Sequence, residues 1–247
     1  MVYIVGAGSG DVELITVKGL KRVKEADIII YAGSLVNPEI LKEAKENCEI
    51  HNSAYMNLEE VIDVIKKGHN EGKNIVRLHT GDPSIYGAIR EQMDILRENN
   101  IPFENIPGVS SFCGAAAALQ AEYTLPAVSQ TVILTRMEGR TAVPEKESIE
   151  SLSKHNATMI IFLSVGMIDE LVKRLMEGYS ENTPAAVVYK ATWKDEKIVR
   201  GTLSDIALKT KEAGINKTAL VIIGNCLGDD YELSKLYDKN FKTEFRG

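Results

Sequence analysis

Three short stretches combine residue types able to handle a small ligand. They are Gly6-Ala7-Gly8-Ser9-Gly10-Asp11, His79-Thr80-Gly81-Asp82-Pro83-Ser84-Ile85-Tyr86-Gly87 and Pro107-Gly108-Val109-Ser110-Ser111. Glycine lets a backbone approach a ligand closely, and hydroxyls or carboxylates beside it supply hydrogen bonds. The second stretch is the pivot. Asn74–Leu78 before it is an apolar run that reads as a buried strand, and Ala88–Glu98 after it carries Ile89, Met93 and Leu96 on one helical stripe. It therefore reads as a strand end, a turn and a helix start, where open α/β sheets place their ligands, with Pro83 suited to the first turn of the helix.

Other chemistries find less support. A G-x-G-x-x-G loop starting at Gly6 would place its third small residue at position 11, where Asp11 would face a pyrophosphate. The acid that would hold a ribose at the end of the second strand is also missing, because Asp27 opens that strand and Tyr31 closes it. No G-K-[ST] ending marks a phosphate loop. Gly8-Ser9-Gly10 lacks the spacing of a nucleophile elbow, Ser110-Ser111 reads as a helix cap, and Cys113 as a buried, inert thiol. Three cysteines (Cys48, Cys113, Cys226) and four histidines (His51, His69, His79, His155) show no ligand spacing, so no protein-bound metal and a reducing compartment are expected.

Basic residues fall near strand ends and loops: Arg77 and His79, then Arg136, Arg140, Lys190 and Lys194. Together they could hold a polyanionic ligand. With a net charge of -6 the protein as a whole opposes such a ligand, so recognition would be local, and a nucleic-acid partner is not expected. Hydrophobic residues at 44% and charged residues at 26% suit a globular chain with a large core. Met1–Val5 runs into a glycine turn without a basic leader, and no apolar run spans a bilayer; the expectation is a cytoplasmic protein with no membrane partner.

The elements that must position these residues follow from periodicity. Strands are expected at Val2–Val5, Ala26–Tyr31, Glu49–His51 and Asn74–Leu78. They alternate with helices at Leu14–Lys24, Pro38–Lys45, Leu58–Lys67 and Ala88–Glu98. This βα alternation argues for a mostly parallel sheet. Gly114–Leu119 continues as a helix of small residues, and Thr124–Ala127 reads as a hinge. Beyond it, strands are expected at Thr131–Thr135, Thr158–Leu163, Pro184–Tyr189, Lys197–Gly201 and Ala219–Ile223. The helices there are Pro144–Lys154, Met167–Met176 and Leu203–Lys211. Adjacent strands without an intervening helix make this second sheet mixed. Two α/β domains result, 1–118 and 119–247, the second ending in a charged tail, Asp229–Gly247, that reads as a C-terminal helix.

The three glycine-bearing stretches, with Leu14-Ile15-Thr16-Val17-Lys18-Gly19 after the first, resemble the tetrapyrrole methylases, which transfer methyl groups from S-adenosylmethionine (AdoMet). The resemblance covers nearly all of residues 1–228, in the family's order. Within the family, His79–Met93, Gln130–Arg136 with Glu138-Gly139-Arg140-Thr141, and Val188–Trp193 are similar to the precorrin-4 C11-methyltransferases of cobalamin synthesis. Related enzymes act on other acceptors, such as uroporphyrinogen-III.

The resemblance implies two α/β domains with the active site in a trough between them, a homodimer, and AdoMet folded in the site rather than extended along a dinucleotide loop. Carried over by motif, the cofactor contacts are Ser9, Thr80, Gly81, Asp82, Ile85, Ser110, Ser111, Leu163 and Ala191. The implied substrate is (cobalt-)precorrin-4, whose peripheral carboxylates His79, Arg136, Arg140 and Lys190 could meet. AdoMet is already an activated donor, so no protein nucleophile or metal is needed. Asp11 is the candidate for removing a proton, with loop ordering as its competing role. Family members usually have proline where this chain has Ser9, which would leave the first loop freer.

Overall fold

Short apolar, largely β-branched runs form the strands of two sheets. The computed structural model describes residues 1–33, 35–139, 141–234, 241, 242 and 244. The chain divides into two compact units, Met1–Gly114 with Lys190–Asp195, and Ala115–Tyr189 with Glu196–Gly247. The hexapeptide 190–195 thus belongs with the N-terminal unit, although it lies far along the chain.

The first unit is built on β1 (Val2–Gly6), β2 (Ile28–Tyr31), β3 (Glu49–Asn52), β4 (Ile75–His79) and β5 (Phe103–Ile106), in the order β3-β2-β4-β1-β5. All four pairings are parallel. The chain leaves β1 towards β2 on one side and leaves β4 towards β5 on the other. The neighbouring carboxyl ends of β1 and β4 are therefore a topological switch point, where a crevice opens.

Helices α1 (Val17–Glu25), α2 (Leu58–Asn70) and α3 (Arg90–Glu98) complete this unit, and α4 (Ser111–Leu119) runs from it into the second. Thr16 caps α1 by accepting from the Gly19 N–H, and Asn57 with Glu60 forms a capping box on α2. Val5, Ile29, Val76, Leu78 and Ile106 pack on one face of the sheet. Ile28, Ile30, Ile65, Ile75 and Leu96 pack on the other. Side chains alternate along β4, so Arg77 and His79 share the face of Ile75.

The second unit contains β6 (Val132–Arg136), β7 (Thr158–Phe162), β8 (Pro184–Tyr189), β9 (Lys197–Thr202) and β10 (Ala219–Ile223), in the order β6-β7-β10-β8-β9. Only β6 and β7 pair in parallel; the rest are antiparallel, so this sheet is mixed as the sequence implies. Helices α5 (Ile149–Ser153), α6 (Ile168–Leu175) and α7 (Ile206–Glu212) accompany it, and Met159, Ile161, Leu171, Leu175, Val187 and Val221 fill its core.

Several elements differ from the sequence expectation for local reasons. The helix at 14–24 splits, because Ile15 and Thr16 are extended and Thr16 caps a helix of its own. Pro38–Glu43 forms a 3-10 helix capped by Asn37 instead of an α-helix. Residues 145–147 are 3-10, and α-helix there is confined to Ile149–Ser153. The helix expected from Ala88 starts at Arg90, because Tyr86 and Ala88 have φ of 55° and 49°, which no α-helix accommodates. Pro83 consequently sits in the loop before it. Strand β5 was not expected from the sequence. In the tail, residues 229–234 form no helix, and Tyr237 and Phe245 lie outside the described residues.

Candidate functional site

The loops that follow β1, β4 and β5 meet backbone to backbone. The Ala7 N–H donates to the His79 carbonyl at 2.7 Å, and Gly8 and Gly81 exchange both hydrogen bonds, at 3.3 and 2.8 Å. A Cβ on Gly108 would lie 2.1 Å from the Gly81 oxygen, and one on Gly6 would lie 2.5 Å from the same atom. Only glycine fits at these contacts. Gly81 also has φ +59°, a region that favours glycine, and a side chain there would meet the Ser110 backbone at 3.4 Å.

Asp82 braces this junction. One carboxylate oxygen accepts from the Gly108 N–H at 2.9 Å and the other from the Ser84 N–H at 2.8 Å and the Ser84 hydroxyl. Partial burial works to raise its pKa, but these hydrogen bonds outweigh burial and hold the carboxyl below its ordinary value. Its negative charge is thus committed to ordering two loops. Thr80, Ile85 and Ser111 are half-buried, and Ser110 is buried.

The glycine loop after β1 is tied to 190–195. The Ser9 and Thr192 hydroxyls are 3.0 Å apart, the Asp11 N–H donates to Thr192 Oγ1 at 3.0 Å, and Trp193 Nε1 donates to the Ser9 carbonyl at 3.1 Å. The Trp193 ring covers Gly10 so closely that a Cβ there would lie 2.1 Å from it. Ser9 is buried, so the loop is held by hydrogen bonds where freedom was expected in the absence of proline. Asp11 Oδ1 accepts from the Glu13 N–H at 3.0 Å, capping a 3-10 turn. Ala191 is buried between Lys190 and Thr192, whose φ values are 47° and 71°. Strained backbone of this kind concentrates at ligand sites.

The remaining sequence candidates divide. In the second unit Leu163 follows β7 with φ 55° and stands 68% exposed, an uncommon combination for leucine. Arg136 donates to the carbonyls of Met137, Thr141 and Ala142 at 3.0–3.1 Å, so its guanidinium shapes its own loop. Lys190 pairs with Asp195 at 2.6 Å and lies 5.0 Å from the Trp193 ring centroid. Arg140 lies outside the described residues. Cys113 is exposed, contrary to the expectation of a buried thiol, and partial desolvation still pushes its pKa up.

Beside the β4 loop, a cavity of about 280 Å³ opens within the first unit, with Arg77, His79, Ile85, Tyr86 and Gln92 on its wall. Arg77 Nε donates to Gln92 Oε1 and Nη1 to the Ile30 carbonyl, each at 3.1 Å. Burial lowers the Arg77 pKa to about 10, leaving it charged at neutral pH. Burial, and secondarily the Arg77 charge, lowers His79 to about 3, so the imidazole is neutral. Gln92, Thr192 and Trp193 lie in the motif segments but are not among the site residues named from the sequence. Arg77 in an apolar run was the one available signal for the first; nothing local signals a contact between residues more than 180 positions apart.

Among the described residues, no helix is long and apolar enough to cross a membrane, and no three His, Cys, Asp or Glu side chains are grouped to hold a metal ion. Residues 1–207 match the family described as Tetrapyrrole (Corrin/Porphyrin) Methylases. A cobalt-precorrin-4 C(11)-methyltransferase of Methanocaldococcus jannaschii is 64% identical, over 99% of this chain and 95% of the relative. The crystal structure of a cobalt precorrin-4 methyltransferase, a cobalamin biosynthetic enzyme, superposes with TM-score 0.90 at 48% identity, covering 92% of this chain and 96% of that one. A uroporphyrin-III C-methyltransferase from Thermus thermophilus, solved with S-adenosylhomocysteine, has TM-score 0.76 and 26% identity, covering 92% of this chain and 98% of the other.

Proposed function

The chain belongs to the tetrapyrrole methylases, and we propose that it methylates C11 of cobalt-precorrin-4, giving cobalt-precorrin-5 in cobalamin biosynthesis. The observation that carries this reading is the 64% identity, across 99% of the chain, to an enzyme of that name. The uroporphyrin-III enzyme, at 26% identity, is a more distant relative.

AdoMet, when bound, supplies a methyl group already activated by its sulfonium. The chain's own residues have to hold donor and acceptor in line and keep water out. The proposed cofactor contacts are Ser9, Thr80, Gly81, Asp82, Ile85, Ser110, Ser111, Leu163 and Ala191. Their character suits the task. Gly81 gives backbone access, Leu163 offers an exposed apolar surface from a strained backbone, and Asp82 keeps the intervening loops fixed. Asp11 is engaged at the Glu13 N–H, which supports loop ordering as its role. Among the described substrate candidates, the His79 Nε2 has no hydrogen-bond partner, whereas Arg136 and Lys190 already have partners. The same reading carries a homodimer and a cytoplasmic location.

Incubation with AdoMet and cobalt-precorrin-4 should yield a product heavier by one methyl group. Absence of turnover on both the cobalt and the metal-free substrate overturns the assignment, and methylation of uroporphyrinogen-III instead would select the alternative acceptor.

A further inference from the structure

We propose that the cavity walled by Arg77, His79 and Gln92 seats one carboxylate side chain of the acceptor macrocycle, a subsite that rests on the tetrapyrrole reading above. Arg77 is only 7% exposed, yet among the described residues no carboxylate lies within 4.0 Å of it. A guanidinium has five N–H donors, and among the described residues Arg77 makes two hydrogen bonds, both to neutral acceptors. A buried cation without a counter-charge is costly, and removing that cost is what an entering anion does.

His79 is the second, independent observation. It is 5% exposed, its ring makes no hydrogen bond to a described residue, and its Nε2 is buried without a partner. Buried polar atoms are nearly always satisfied, so an orphaned imidazole on the wall of a cavity needs an occupant. Period-2 alternation puts both residues on one face of β4, and both stand on the cavity wall. Ile85 and Met56 provide apolar wall for the methylene stem of such a group, and Glu91 stands exposed at the rim. The cavity is thus built for a compact anion with a short apolar stem, and Arg77 and His79 act as specificity-determining residues for the acceptor.

The test uses two stable probes, a cobalt corrin with free side-chain carboxylates and the same corrin with those groups amidated, with S-adenosylhomocysteine affinity and thermal midpoint as controls. Gln92→Glu is nearly isosteric and gives Arg77 an internal carboxylate. It should weaken the acid probe by about tenfold or more, the amide much less, with both controls retained. His79→Phe, which keeps the ring volume and removes both nitrogens, should weaken the acid probe selectively in the same way. Unchanged affinity for the acid probe in both variants overturns the subsite and leaves the methyltransferase reading standing. If the wild-type protein binds S-adenosylhomocysteine but neither corrin, the acceptor reading falls and takes the subsite with it.

Discussion

The two sheets hold their carboxyl-end loops by opposite means. After β1, β4 and β5 the loops interlock through backbone, with Gly6, Gly81 and Gly108 in contacts that admit no Cβ. After β6 the loop is held by side chains. Arg136 binds three carbonyls of its own loop, and Arg174 is shared among Glu138, Glu150 and Glu170. The electrostatic outcome follows. In the second unit Arg136 and Arg174 are engaged by their own loop and helices. In the first, backbone packing fixes the loops with the Asp82 carboxylate as a brace, and Arg77 and His79 are left with bonding capacity. A loop anchored by glycine leaves side chains available for a ligand; a loop anchored by arginine uses them up.

The sharpest way to break this contrast is Gly108→Val. The new side chain meets backbone that cannot move aside, so stability should fall by about 3 kcal/mol or more, lowering Tm by roughly 2–4 °C per kcal/mol in a thermal melt. A Tm within error of wild type would mean that the loops are not interlocked. Arg174→Met probes the other mechanism and should cost about 1 kcal/mol in urea denaturation, because the network is partly exposed.

Its pH dependence adds a signature. The hydrogen bond from Arg174 is the chief cause that holds the Glu138 pKa below its ordinary value. Glu138 therefore contributes stability that is present above the unfolded-state pKa and lost as pH falls through the depressed folded value. The stability difference between wild type and Arg174→Met should be full near neutral pH and shrink as pH falls through the depressed folded-state pKa of Glu138. A pH-independent difference would remove the ion pair as its source. The smallest effect is expected for Ser9→Ala, which deletes one hydroxyl contact in the glycine-anchored region. A loss of about 0.5 kcal/mol is expected, read by the same denaturation, and a loss as large as that of Gly108→Val would contradict the primacy of backbone packing there.

Most of the fold was legible because burial on a sheet leaves a period in the sequence. The runs Ile28–Tyr31, Ile75–His79, Thr158–Phe162 and Ala219–Ile223 are almost wholly buried and were found as strands. Strand β5 was not, since Phe103-Glu104-Asn105-Ile106 is a half-exposed edge strand with polar residues at its centre. The helix assigned to residues 38–45 has an amphipathic pattern, but a stretch so short and opened by proline settles into a 3-10 form. Of the candidate site, the glycine loops were legible from composition. The bonding states of Arg77, Arg136 and Lys190 were not, because three similar cations in a sequence carry no mark of which has already found its acceptors.

The return of Lys190–Asp195 to the first unit bears on how the protein is made. Trp193 covers Gly10 and Thr192 bonds Ser9, each pair lying 183 positions apart. A ribosome that has delivered residues 1–114 has supplied every strand of the parallel sheet, but not the segment that seals its first loop. At ordinary elongation rates that segment arrives on the order of ten seconds later. During this interval the glycine loop waits with Gly10 uncovered, so the N-terminal unit completes its ligand-side surface only after the strands up to β8 have been synthesised.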